Sequence, residues 1–202
     1  MEKRPVTMYA KAPDGVSLAY QVTGDGPLDL FFVSGLLIPF DLIREEPSFL
    51  RFARRLGTFS RTMFCDSRGV GASGGDFIDS FAWEISDADI DAVLDAADFE
   101  QTVLVGAGIG GPSVIHYAAT RPERVSALVL INTYAHYVIE DNYPWGLSLD
   151  VMDRIDTPMN EMWGTATEKG SGIFCSQQSG RRSLSRLVGA VPTNGSSSRA
   201  SR

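Results

Sequence analysis

The sequence predicts an α/β domain built on a doubly wound, mostly parallel sheet. Short continuous apolar runs alternate with segments of helical periodicity, glycines cluster where several runs end, and the alternation holds to about residue 135. With 202 residues, 44% of them hydrophobic and 21% charged, the chain is long enough to bury one sizeable core.

The elements follow in order. "GVSLAYQVTG" (15–24) alternates apolar and polar residues, the pattern of an antiparallel strand entering the sheet. "DLFFVSG" (29–35) is a continuous apolar run, as a parallel strand covered on both faces requires. In "PSFLRFARRLG", Phe49, Leu50, Phe52, Ala53 and Leu56 recur at helical spacing between Pro47 and Gly57. "RTMFCD" (61–66) is a further buried strand that runs into the turn "DSRGVGASGG". Residues 80–97 have helical spacing, with Ile85, Val93, Leu94 and Ala97 inward and Asp87, Asp91 and Asp95 outward. A strand at 102–106, a helix at about 111–121 and the strand "VSALVLIN" (125–132) complete the regular part. Residues 136–164 are expected to form part of a lid. Residues 165–202, rich in Ser, Arg and Gly without periodicity, are expected to be a disordered tail.

Charge and composition exclude several classes of function. Residues 1–164 carry 24 acids against 12 bases, whereas 165–202 carry one acid and six bases. An acidic body does not suit nucleic acid, whose phosphates need clustered Lys and Arg. The N-terminus has no apolar run of signal-peptide type, and no stretch is long enough to span a membrane. Cys65, inside "TMFC", reads as a buried reduced thiol, and a cytoplasmic location is expected.

The chemistry turns on "TVLVGAGIGGPSVIHYAA" (102–119), a strand, a glycine turn and a helix. Gly106, Gly108 and Gly111 spell G-x-G-x-x-G, which would place a pyrophosphate on the helix N-terminus. Gly69, Gly71 and Gly74 spell the same pattern, and the acid expected to hold a ribose after the next strand is replaced by Asn132. The alternative is the nucleophile elbow, G-x-S-x-G. Its frame is Gly106-Ala107-Gly108-Ile109-Gly110, with both flanks right and glycine at the centre. Glycine relaxes the strained backbone of such a turn but offers no atom that could attack.

The blocks "YAKAPDGVSLAYQVTGDGPLDLFFVSG", "EEPSFLRFARRLGTFSRTMFCDSRGVGAS", "DADIDAVLDAADFEQTVLVGAGIGGPS" and "YAATRPERVSALVLIN" together resemble the α/β-hydrolase family. The resemblance spans Met8 to Gly164. It is nearest to the actinobacterial hydrolase domain often found N-terminal to a class III adenylyl cyclase domain. D-x-R-G-x-G-x-S at Asp66, Arg68, Gly69, Gly71 and Ser73, and A-x-x-x-P-E-R-V ending at Val125, carry it. It implies an oxyanion hole from the backbone N–H of Ile109 and one near Gly35 and Leu36. It also implies an acid and a histidine late in the chain. Against that pattern the nucleophile position holds Gly108, the last strands with the histidine are missing, and no cyclase domain follows, so the fold is expected to be truncated.

The other candidates read as structural. His116 is expected to be a partly buried helix residue, while His136 stands where it could border the pocket mouth. Ser34 and Ser67 end strands on the functional edge but lack a base. Asp66 and Arg68 are expected to pin their turn by hydrogen bonds. Trp83, Trp145 and Trp163 read as packing residues, and the aspartates of 87–98 as a solvated helix face rather than a metal site. No metal or cofactor is expected. Three functions remain: an acyl hydrolase by descent with little or no activity, a non-catalytic ligand-binding or interaction module, and a dinucleotide-binding protein. The expected partners are a small-molecule ligand or another protein chain, including a second copy, at the strand edge 126–132.

Overall fold

A computed structural model describes residues 5–34, 39–75, 86–152 and 154. Gly35, Leu36, Trp83, Trp163, Cys175 and the expected tail lie outside these residues, as does most of the second half of the expected lid. Six strands form one sheet in the order β1-β2-β4-β3-β5-β6. They are β1 (Met8–Lys11), β2 (Ser17–Thr23), β3 (Leu28–Val33), β4 (Ser60–Cys65), β5 (Thr102–Ala107) and β6 (Val125–Ile131). β3 to β6 are mutually parallel, and β1 and β2 join antiparallel at one side. The sheet is thus mostly parallel, as the apolar runs predict.

Side-chain alternation sends each strand's residues into two cores. Phe31, Val33, Met63 and Leu104 pack on one face with Ile90, Val93 and Leu94 of α3 (Asp87–Ala96) and Val114 and Tyr117 of α4 (Gly111–Thr120). Leu30, Phe32, Phe64 and Val105 pack on the other with Phe40 of α1 (Phe40–Ile43) and Ala53 of α2 (Pro47–Gly57). Glu46 caps α2 by accepting from the Ser48 N–H at 3.3 Å, and Ser86 caps α3 by accepting from the Asp89 N–H at 3.2 Å. Both caps satisfy N–H groups that the first helical turn leaves without partners.

Polar and charged side chains tie neighbouring elements together. Arg61 chelates its parallel-strand neighbour Asp29 at 2.7 and 2.8 Å. Arg68, in the glycine turn after β4, chelates Asp89 of α3 at 2.6 Å through two nitrogens and reaches Asp14 at 2.5 Å. These bonds to Asp89 and Asp14 raise the pKa of the Arg68 guanidinium. Tyr117 donates to Asp91 at 2.5 Å, and Arg124 donates to Asp95 at 2.7 Å.

Several expectations are corrected here. The acidic residues of α3 are not a uniformly solvated face: Asp89 is buried against Arg68, and Asp91 is half-covered by Tyr117. His116 is exposed rather than partly buried, with Nε2 3.6 Å from Asp87. Trp145 is not a packing residue, being 77% exposed. In the segment expected to form part of a lid, Leu147 is exposed, while Tyr137 and Met152 are buried. Cys65 is a half-buried free thiol, with burial and the nearby Asp66 and Asp89 pushing its pKa well up.

Removing Arg68 would leave the Asp89 carboxylate enclosed without its counter-ion. Arg68→Ala is therefore expected to cost about 2–3 kcal/mol, read as a lower urea midpoint at unchanged slope. Asp14→Asn, on the exposed arm of the same triad, is expected to leave the midpoint nearly where it was.

Candidate functional site

The site is assembled at the carboxyl ends of the parallel strands, where open α/β sheets present their ligands. Val33 pairs with Gly106 across β3 and β5, and Ala107 pairs with Ile131 across β5 and β6. This register brings Ser34, Gly108 and the residues after Ile131 to one end of the sheet. Gly108 opens a single 3-10 turn, Gly108–Gly110, that leads directly into α4.

The turn is tight because three glycines do different work. A Cβ on Gly106 would lie 2.4 Å from Val114 Cγ2 and 2.9 Å from the Gly111 Cα, so bare backbone lets α4 cross close over β5. A Cβ on Gly111 would run into the side chain of Thr133. Gly108 differs. Its φ of +56° is left-handed, yet the nearest atom to an added Cβ is the Ser34 carbonyl oxygen at 3.9 Å. The left-handed geometry of an elbow is present, and among the described residues nothing crowds a Cβ there.

The segment after β6 clamps this turn. Asn132 takes a left-handed φ of 46° and redirects the chain. The Thr133 hydroxyl then donates to the Gly108 carbonyl, and the Tyr137 hydroxyl donates to the Ile109 carbonyl at 2.9 Å. Tyr137 is buried and stacks edge-on to Tyr134 at 4.8 Å. His136 is exposed, with Nδ1 2.9 Å from the Val138 carbonyl and Nε2 3.5 Å from Glu140. It is thus Tyr137, not its neighbour His136, that touches the elbow. Tyr137 carried no signal in the sequence, since it lies in a segment without periodicity.

On the second glycine turn, Asp66 accepts from the N–H groups of Phe40 at 2.9 Å and Ala72 at 3.0 Å. Ser73 donates to the Asp66 carbonyl at 2.6 Å and accepts from the Ala19 N–H at 2.8 Å. The D-x-R-G-x-G-x-S stretch is thus a brace between β2, α1 and α3. Among the described residues no cluster of three or more His, Cys, Asp or Glu side chains could hold a metal, and no helix is long and apolar enough to cross a membrane.

Comparison with known proteins agrees with this geometry. The family described as alpha/beta hydrolase fold matches residues 61–157. An esterase from Exiguobacterium antarcticum superposes with a TM-score of 0.62 at 21% identity, covering 83% of this chain and 60% of that one. A hydrolase from Pseudomonas aeruginosa superposes with a TM-score of 0.61 at 20% identity, covering 84% of this chain and 57% of that one. An esterase from a Rhodococcus species gives 0.56 at 23% identity, covering 68% of this chain and 50% of that one. The likeness is one of fold, and this chain spans between half and three fifths of the length of these structures.

The three glycines predict a graded response. Among the described residues Gly108→Ala meets only the Ser34 carbonyl, at ordinary contact distance, and costs the left-handed backbone, about 1 kcal/mol. Gly106→Ala must push α4 off β5 and is expected to cost about 3 kcal/mol. Thermal melts of the two variants should rank in that order.

Proposed function

We propose that this chain, which carries the α/β-hydrolase fold, descends from ester or related acyl hydrolases and has little or no hydrolytic turnover of its own. The observation behind this reading is Gly108, at the centre of an intact elbow. Acyl transfer there needs an atom that can bond to the substrate carbonyl carbon, and a hydrogen in place of a side chain cannot supply it. The neighbouring hydroxyls are committed to structure: Thr133 and Tyr137 both donate to backbone carbonyls of the turn. The chain's two histidines do not supply a base at the turn, because His116 pairs with Asp87 and His136 with Val138 and Glu140.

What remains is a shaped end of a sheet where, among the described residues, nothing crowds Gly108, which suits a ligand-binding or interaction module. The kinship with cyclase-linked hydrolase domains and a cytoplasmic setting belong to the same proposal, resting on the sequence blocks and on cysteine usage. Dinucleotide binding is the weaker reading, since Gly106 and Gly111 are accounted for by packing against Val114 and Thr133 and β6 ends in Asn132.

The purified chain is expected to hydrolyse p-nitrophenyl acetate no faster than a heat-denatured control. Gly108→Ser is expected to fold and to restore little, because nucleophile and base act as a unit. Robust wild-type turnover would overturn the proposal.

The sheet edge supports a second element, association through β6. Leu128, Val129, Leu130 and Ile131 are all 38–47% exposed, and no charge or proline interrupts residues 125–131. Among the described residues β6 is the last strand of the sheet, so its outer side presents backbone groups without a strand partner together with apolar side chains. Sedimentation at micromolar concentration is expected to show association that Leu130→Lys reduces. A concentration-independent monomer would count against it.

A further inference from the structure

The segment that follows the elbow clamp is tied into a fixed frame. The Ile139 N–H donates to the Leu147 carbonyl at 3.0 Å, and the Leu147 N–H donates to the Tyr137 carbonyl at 2.7 Å. Glu140 and Tyr143 exchange backbone hydrogen bonds at 3.1 and 2.9 Å, and the Val151 and Met152 N–H groups both donate to the Ser148 carbonyl. Met152, 3% exposed, anchors the far end. What this frame displays is apolar. Ile139, Trp145, Leu147, Leu149 and Val151 are all exposed, and the Trp145 ring stands edge-on to Tyr143 at 5.5 Å. Apolar side chains on a fixed frame with charges at the rim are what interaction surfaces present.

The rim is acidic. Residues 136–152 hold Glu140, Asp141 and Asp150 and no Lys or Arg. Asp150 is paired with Arg154 at 2.8 Å, and Glu140 lies 3.5 Å from the His136 ring. A surface of this sign repels lipid phosphate and nucleic acid and attracts a basic segment. To cover the apolar side chains as well, that segment needs an apolar stripe of its own.

The chain carries such a segment beyond Arg154. Residues 155–168 have three acids and no base, the same sign as the rim, whereas residues 181–191, "RRSLSRLVGAV", have three arginines and no acid. The tail as a whole lacks periodicity, yet here Leu184, Leu187, Val188 and Val191 fall at the i, i+3, i+4 and i+7 positions of one helical stripe, with the arginines outside it. Pro192 marks its end. Eleven residues with Gly189 among them are too few for a stable helix alone, so an apolar surface has to supply what the backbone lacks. The 26 residues between Arg154 and Arg181 reach up to about 90 Å, so the tether does not limit docking. We propose that residues 181–191 dock, within the same chain, on the surface formed by Ile139, Trp145, Leu147, Leu149 and Val151. The Leu and Val stripe covers the apolar side chains, and the arginines steer the segment towards Glu140 and Asp141. Because this surface continues directly from the Tyr137 clamp, the docked segment lies beside the elbow and shields the surface from other chains.

The test replaces Leu187 of the full chain with the photoreactive residue p-benzoylphenylalanine and maps the cross-links by mass spectrometry. Links to residues 139–151 within a band of monomer size are the expected result. Trp145→Asp, at a side chain 77% exposed and outside both cores, is expected to cut their yield about tenfold. Glu140→Lys and Asp141→Lys together are expected to cut it about threefold, and about 0.5 M sodium chloride should do the same to the unaltered surface. Links chiefly between chains would make a second copy the occupant and overturn the assignment. So would links spread evenly over the body or confined to the tail, or a yield that Trp145→Asp leaves unchanged.

Discussion

The close crossing of α4 over β5 is the constraint on which the rest depends. Gly106 has no side chain, so Val114 and Gly111 can approach its backbone to distances that a Cβ would forbid. That approach seals the larger core, where Val114 and Tyr117 meet Leu104 and the α3 residues Ile90, Val93 and Leu94. It also forces the chain to reverse within the three residues Gly108–Gly110, which is why Gly108 is left-handed. Sheet packing and site geometry are two consequences of one missing methyl group.

A second layer of order comes from charges set across elements. The turn after β4 is closed by its own backbone hydrogen bonds, among them Val70 to Ser67 and Ser73 to Val70, and side chains fix it to its surroundings. Asp66 holds its inner side by two N–H groups, and Arg68 holds its outer side to Asp89 and Asp14. Because Asp89 also sits in the first turn of α3, near the positive end of the helix dipole, its charge is favourably placed there. The brace therefore fixes the start of α3, and α3 in turn covers β1 and β2.

Much of this was legible in the sequence because the signals were local. Apolar runs gave β3, β4, β5 and β6, helical spacing gave α2 and α4, and the glycine frame 106–110 gave the turn. β1 escaped notice since only Ala10 of its four residues is buried, and pairing with β2 alone defines it. Asp89 reads as part of a solvated face, because its counter-ion Arg68 is 21 residues away and nothing local announces the pairing. Tyr137 and Thr133 were silent for the same reason: their role is a single hydrogen bond across 25 residues or more to a backbone oxygen. Long-range polar pairs have no periodicity to read.

The division between scaffold and chemistry explains how Gly108 can stand where it does. The groups that shape the turn are backbone carbonyls, two hydroxyl donors and glycines at 106 and 111; none requires a side chain at 108. A non-glycine residue there would carry left-handed strain of about 1–2 kcal/mol. Strain of that size is tolerable where the side chain performs a reaction. Where no base is positioned to activate it, glycine is the residue that leaves the turn relaxed without altering its path. Packing and backbone hydrogen bonds are enough to hold this shape, which is why shape by itself cannot be read as activity. Access to the turn from the side of β6 is set by the clamp from Thr133 to Tyr137, whose two hydroxyls hold the carbonyls of Gly108 and Ile109.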